Sequence, residues 1–172
     1  MKTSVVILAS ALVLLTGVSC MTPGQYHVFR VASSSAEQSS GCFPVAPGPD
    51  ITGDSSTLRT GQTFAIYAAD SETFFLDFDT FSLVGTKDGS DYSFTGESVD
   101  VSVPGDSTFT VTTVTTVDAE IKGNKISGTS VIDVTQSCSG GTGCPSPASS
   151  QCITTVQFQG AKLKDVDLEH PI

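Results

Sequence analysis

The sequence predicts an all-β domain: an antiparallel meander of about eight strands that closes into a barrel or, alternatively, folds into a two-sheet sandwich. Three observations predict it. No stretch after residue 20 shows useful helical periodicity, apolar residues alternate with polar ones at period two, and turn dipeptides separate the alternating runs. A barrel removes the exposed edge strands of a long meander, and a sandwich protects them. The barrel is preferred because the connections from Phe64 to Leu163 resemble hairpins throughout.

The clearest hairpin lies around Gly123 and Asn124, two turn residues that tolerate a positive φ. Folding the chain there places the apolar residues of both flanking strands on one face, which favours a single register. The expected cross-strand pairs are Ile121 with Ile126, Ala119 with Gly128, Val117 with Ser130, and Thr113 with Val134.

A second hairpin is expected at Asp88 and Gly89, a pair typical of type I′ turns. Two of its expected pairs set a glycine against an aromatic ring that covers it, a known device in sheets. The expected pairs are Leu83 with Phe94, Gly85 with Tyr92, and Phe81 with Gly96.

The remaining strands are expected at residues 26–31, 64–68, 74–78 and from Cys152 to about Leu163, with a bulge past Gly160. A long loop rich in Ser, Gly and Pro separates the first two, at about residues 33–60. Loops of that length inside a compact domain are uncommon and are either functional or disordered.

The first nineteen residues are typical of a secretory signal peptide. Lys2 gives a positive start, an apolar run follows, and small residues precede Cys20. The run is too short to span a bilayer. Residues 20–172 are then a single β domain.

The residues Gly17-Val18-Ser19-Cys20 resemble the lipobox of bacterial lipoproteins, although that family usually has Leu where Gly17 stands. The resemblance implies that Cys20 becomes the first mature residue and carries a lipid that anchors the domain to a membrane of the cell envelope. With Met21 after the cysteine, it also implies outer-membrane or surface placement. The alternative is ordinary signal cleavage and a secreted protein.

The cysteines support lipidation by their number. The chain has five, and an odd count in an exported protein leaves one thiol unexplained. Lipidation of Cys20 leaves four for two disulfides. Among the three possible pairings, Cys138–Cys152 with Cys42–Cys144 is expected, because placing Cys138 opposite Cys152 keeps the apolar residues on one face.

Composition and motifs argue against several function classes. Eighteen acidic residues against eight basic ones disfavour nucleic-acid binding. The chain has only two histidines, His27 and His170, and no Gly-x-Ser-x-Gly motif, so a Ser-His-Asp site is not expected. The sequence contains no Cys-x-x-Cys pair of the kind that binds zinc, and no cofactor is predicted.

The acidic residues suggest two further kinds of site. Calcium could bind carboxylates from a strand and nearby turns, but their spacing matches no EF-hand, and no metal site is predicted. Those residues are Asp50, Asp54, Asp77, Asp79, Asp88 and Asp91. The pair Asp77 and Asp79 would also be the acid and base of a polysaccharide hydrolase, the least favoured hypothesis.

The predicted inner face is aromatic early in the chain and becomes small and partly polar later. Such a face can leave room for a small ligand inside a barrel, as in lipocalins, which this chain resembles in architecture only because it has no Trp for their Gly-x-Trp signature. The candidate cavity residues are Thr113, Thr115, Ser130, Gln136 and Thr154. The leading hypothesis is a non-enzymatic envelope lipoprotein that binds a small molecule or a protein partner; the alternative is a structural or adhesive surface domain without a pocket.

Overall fold

A computed structural model describes residues 24–40, 42, 61–78, 81–164 and 166. These residues form one closed antiparallel barrel in which each strand pairs with its neighbours in sequence and the last pairs with the first. The all-β meander is confirmed, and the closure is a barrel. The strands are β1 (Tyr26–Gln38), β2 (Gln62–Ala68), β3 (Phe74–Phe78), β4 (Phe81–Asp88), β5 (Asp91–Ser102), β6 (Ser107–Lys122), β7 (Lys125–Gly140) and β8 (Ser149–Lys162).

Alternation of side chains produces the core. In β2 and β3 every second residue is buried, as a strand with one face inside a barrel requires. Phe64, Ile66, Leu76 and Phe94 are fully buried and belong to one cluster at the centre of the barrel. In the described ranges no helix has the length and apolarity needed to cross a bilayer.

The barrel has two unlike ends. We call the end with the turns after β2, β4 and β6 the lower end, and the opposite end the upper end. Strands β2, β3 and β4 have 7, 5 and 8 residues, whereas β5 to β8 have 12 to 16. Among the described residues, the upper wall therefore consists of β5 to β8 and the last residues of β1.

The hairpin of β6 and β7 has the predicted register, and all four expected pairs are present. Gly123 has a φ of 60° and, with Asn124, forms the two-residue turn between Lys122 and Lys125. The positive φ explains why glycine stands at this position.

The register predicted for β4 and β5 is wrong by one step of two residues. The turn is Gly89-Ser90, with Asp88 opposite Asp91, so that glycine again occupies the first turn position. Gly85 consequently faces Phe94 and not Tyr92. A Cβ at Gly85 would lie 2.6 Å from Phe94 Cδ1, so the predicted covering of a glycine by a ring occurs with a different ring.

The register predicted for β7 and β8 is also wrong, although the inward faces are as predicted. Cys152 lies opposite Val134, not opposite Cys138. Gly128 is packed against Phe158, where a Cβ would come within 2.8 Å of the ring. This close packing and the barrel closure select a register that alternation alone leaves open.

The shift in register changes the disulfides. The observed bonds are Cys42–Cys152 and Cys138–Cys144, so all four cysteines are paired but the expected pairing is wrong. Cys42 reaches Cys152 because the end of β1 lies along β8, where the Ser39 N–H donates to the Ile153 carbonyl at 2.9 Å.

The first strand extends farther than predicted. β1 continues to Gln38 and pairs with β8, so residues 33–38 of the expected loop are strand. The bulge lies between Ser33 and Ser35, and not past Gly160 as expected, since Ala161 continues the ladder to β7. Of the rest of that loop, the structure describes only Ser39, Ser40 and Cys42. The signal peptide, Cys20, Asp79 and residues 167–172 lie outside the described part of the chain.

Candidate functional site

The candidate cavity residues lie on the inward-facing positions of three neighbouring strands. On β6 these are the odd-numbered residues, since Val117 and Ala119 are buried, and on β7 and β8 they are the even-numbered ones. Thr113 and Thr115 come from β6, Ser130 and Gln136 from β7, and Thr154 from β8. The strand period alone explains their common face.

The barrel brings four of these residues close together and leaves the fifth nearer the upper end. Thr115 and Thr154 both lie opposite Ile132, one on each side, and Ser130 is two residues below it. Gln136 lies opposite Val111 and Ser150, farther along β7. Thr115, Ser130 and Thr154 are almost fully buried, whereas Thr113 and Gln136 are half-buried. The inner face therefore opens gradually toward the upper end.

Three polar atoms on the inner face are buried without a hydrogen-bond partner. They are Gln62 Oε1, Ser107 Oγ and Ser130 Oγ, the last from a residue with 0% exposure. Buried polar groups are nearly always satisfied by protein, water or a ligand. These atoms therefore provide hydrogen-bonding capacity that the described protein atoms do not use. Sequence reasoning identified Ser130 but missed Gln62 and Ser107, whose burial depends on the closure of the barrel.

The two disulfides lie at the upper end, beside the open part of the inner face. Cys138–Cys144 closes a short loop whose Gly143 lies over Ser107: a Cβ there would be 2.9 Å from Ser107 Oγ. Cys42–Cys152 joins the end of β1 to β8, and the Ile153 N–H donates to Ser39 Oγ at 3.0 Å. The bonds hold the upper rim together.

A groove lies on the outer surface at the lower end, across β4 to β7. It is lined by hydroxyl groups and four carboxylates: Asp88, Asp91, Asp118 and Glu120. Asp91 lies directly opposite both Asp88 and Glu120, an arrangement of like charges that destabilises a sheet. Lys122 forms an ion pair with Glu120. Hydrogen bonding and charge attraction from Glu120 raise the pKa of Lys122.

Among the described residues no group of three or more His, Cys, Asp or Glu side chains is placed to hold a metal ion. The considered carboxylates Asp50, Asp54 and Asp79 lie outside the described residues. Asp77 projects from the outer face of β3, where its Oδ1 is buried without a partner and its charge raises the pKa of neighbouring Tyr67, although burial contributes more to that shift.

His27 faces the lower interior, with its ring edge-on to Phe29 at 6.4 Å between centroids. Burial lowers its pKa, and the positive charges of Lys162 and Lys87 lower it further. The other histidine, His170, lies outside the described residues. His27 is thus a half-buried residue at the lower end of the barrel, beside the ring of Phe29.

Fold and site together define an eight-stranded up-and-down barrel with an aromatic lower interior and a partly polar upper interior. Comparisons with family models, with curated proteins and with solved structures return no match for this chain.

Proposed function

We propose that this chain is a non-enzymatic envelope domain that binds a small amphipathic molecule in the upper half of its barrel. The observation that carries the proposal is the unused hydroxyl of Ser130, which lies two residues below Ile132 on the inner face, close to Thr115 and Thr154. A compact ligand with a polar group beside these hydroxyls would use the Ser130 hydroxyl, because binding sites are mostly apolar with a few placed hydrogen-bonding groups. Ser107 is beyond the reach of the same molecule, since it lies opposite Gly140, ten residues or about 33 Å along β7 from Ser130.

The class of ligand follows from the side chains beside those atoms. Phe109, Val111 and Val134 are half-buried on the same inner face and offer apolar contact, while Thr113 and Gln136 offer a hydroxyl and an amide. An eight-stranded barrel has an interior wide enough for one small ligand. A compact molecule with an apolar body and a neutral polar group fits this lining, since none of these residues is charged.

The anchor is the second part of the proposal. A lipid on Cys20 would hold the domain at a membrane of the envelope by its lower end, because the described chain enters β1 there at Tyr26. Five residues lie between Cys20 and Tyr26, the first residue of β1, so the barrel would lie within about 20 Å of the membrane surface.

Native intact-mass measurement of the protein purified from its own membranes, without reductant, tests both parts. The expected species begins at Cys20, carries added acyl mass, lacks four hydrogens and retains a noncovalent adduct. A bare chain without acyl mass would contradict the anchor. A chain that retains no adduct, and binds none when offered its membrane extract, would leave a structural or adhesive domain as the better account.

A matched pair of variants locates the binding site. Thr113→Phe fills the inner face, whereas Thr112→Phe places the same ring on the outer face one residue away. We expect the adduct to be lost in the first variant and kept in the second. Loss in neither, with both variants folded, would place the ligand elsewhere on the molecule.

A further inference from the structure

The upper part of β5 is an exposed edge. β4 stops pairing with β5 at Val84 and Thr95, while β6 pairs with β5 as far as Ser102. On the side away from β6, no described residue forms a ladder with residues 97–102, and every one of these residues is exposed. Such an edge presents backbone N–H and C=O groups that another strand can pair with.

The side chains of this edge favour strand pairing. Val99, Val101 and Val103 are 54%, 60% and 65% exposed on the outer face, and β-branched residues are the ones that pack well on a pleated surface. Proteins commonly protect an edge with charged side chains, especially lysine, with proline or with a bulge. Residues 97–103 contain no lysine or proline, and the ladder to β6 has no register shift there.

The second upper edge of the described sheet provides an internal comparison. Beyond Val31, β1 pairs with β8 alone, so residues 33–38 also have one open side. That edge carries a bulge between Ser33 and Ser35 and has no large apolar side chain. The β1 edge is thus protected by a bulge, whereas the β5 edge has no bulge and is protected only by the carboxylates Glu97 and Asp100, which a basic partner would neutralise.

The charge of the upper end indicates what would pair there. Every described lysine lies toward the lower end, at Lys87, Lys122, Lys125, Lys162 and Lys164. The described arginine, Arg30, is bound to Thr63 at the start of β2. The other described charges near the upper end are acidic: Glu37, Glu97, Asp100, Asp106 and Asp133. A second copy of this chain, with a net charge of −10, would bring the same carboxylates to the contact, and like charges across paired strands are unfavourable.

We propose that the open edge of β5 binds an extended segment of another protein by strand addition, and that this segment alternates apolar with basic residues. The apolar residues would pack beside Val99 and Val101 on the outer face. A lysine or arginine would lie opposite Asp100 on the other face, where opposite charges across a ladder are favourable. The apolar contacts would lie on the outside of the barrel, and the basic residue would face its upper opening, because Asp100 shares the inward side of β5 with Tyr92 and Phe94.

The probe is a fluorescein-labelled nine-residue peptide of alternating valine and lysine with blocked ends, titrated into the full mature protein and followed by anisotropy. We expect it to bind, and the corresponding valine–glutamate peptide to bind at least about tenfold more weakly. A valine–lysine peptide N-methylated at alternate residues keeps its charge but loses the backbone donors for a ladder, and should also lose binding. Equal binding of the N-methylated peptide would overturn the proposal in favour of nonspecific charge attraction.

Variants of the protein give the matched control. Val101→Lys puts a charge on the open edge and should weaken binding of the valine–lysine peptide at least about tenfold. Val84→Lys adds the same charge to an outer valine that already has ladder partners on both sides, Phe75 and Thr95. This variant should bind the valine–lysine peptide with nearly unchanged affinity. Similar losses in both variants would overturn the proposal, and Asp100→Asn should reduce the salt dependence of binding.

Amide hydrogen exchange tests the location directly. The backbone amides of residues 97–102 that point away from β6 should exchange quickly in the free protein. Their exchange should slow down when the valine–lysine peptide is added. If the free protein sediments as a dimer with these amides already protected, the edge pairs with a second copy and the proposed partner is wrong.

Discussion

The lower and upper halves of the barrel are held together in different ways. In the lower half, aromatic side chains fill the interior: Phe64 lies 5.6 Å from Phe78 and 5.2 Å from Phe158 between ring centroids, and all three are buried. In the upper half, the inner face carries hydroxyl and amide groups, and both disulfides are located there. Burial stabilises one half, and covalent bonds restrain the other.

The difference shows how a small barrel can keep a polar interior. Apolar burial contributes roughly 25 cal/mol per Å² and is available only where the inner face is apolar. Threonine and glutamine positions contribute less, so the upper strands need another restraint, and a disulfide supplies it by limiting the unfolded chain. When disulfides at the upper end restrain the strands, the interior there does not have to be filled by apolar side chains.

The largest expected effect concerns the rim. Removing the bond between residues separated by 110 positions, with Cys42→Ala and Cys152→Ala, should lower the free energy of unfolding by about 4–5 kcal/mol. The corresponding double substitution at Cys138 and Cys144, separated by 6 positions, should lower it by only about 2 kcal/mol. Urea unfolding of the two variants measures the difference. Equal losses would show that loop closure does not govern their contribution.

The same substitution in both halves tests the packing contrast. Phe64→Ala in the fully buried lower core should lower the free energy of unfolding by about 3–5 kcal/mol. Phe109→Ala on the half-buried upper face should lower it by roughly half as much or less. Denaturant midpoints with unchanged m-values provide the measurement. A loss at Phe109 as large as that at Phe64 would mean that the upper interior is packed as tightly as the lower.

Ser130 lies at the border between the two halves, and its removal sharpens the comparison. In ligand-free protein, Ser130→Ala should leave the free energy of unfolding unchanged or raise it by up to about 1 kcal/mol, because it removes a buried hydroxyl without a partner. Ser127→Ala, an exposed site on the same strand, is the control. A clear loss at Ser130 alone would reveal a hydrogen bond to water or ligand in the purified protein.

The smallest effect concerns pH and the lower end. Burial, Lys162 and Lys87 lower the pKa of His27 in the folded state below its ordinary value of 6.5. The unfolded chain therefore takes up a proton at higher pH than the folded one, and stability falls as pH drops through 6.5 toward the lowered pKa. His27→Gln should reduce this slope in unfolding free energy measured between pH 7 and pH 5. An unchanged slope would show that another group causes it.

Local patterns predicted the fold well where a turn and its two strands are adjacent in sequence. The β6–β7 register follows from Gly123-Asn124 and from alternation, and both signals agree. The β4–β5 register was predicted one step away because glycine stands at the first position of the turn, and Asp88 lies outside it. Alternation could not correct that error, since a shift of two residues keeps every side chain on its face.

For the candidate site, the sequence predicts which side chains face inward but not how deeply each is buried. Period two places Thr113, Thr115 and Thr154 inside any barrel of these strands, but their depth depends on how far each neighbouring strand extends. The unpartnered atoms of Gln62 and Ser107 have no counterpart in the sequence pattern. Their burial arises because β1 and the loop at Gly143 cover them in the closed structure.

The sequence by itself determined the strand class, the inward and outward faces, and the turn between β6 and β7, because each depends on residues close together in the chain. Only the tertiary structure decided the closure of β1 on β8, the β7–β8 register, and the disulfide partners that follow from them. These choices join positions as far apart in the chain as Phe29 and Lys162. They depend on close packing at Gly128 and on the path of β1 around the barrel, which no local pattern encodes.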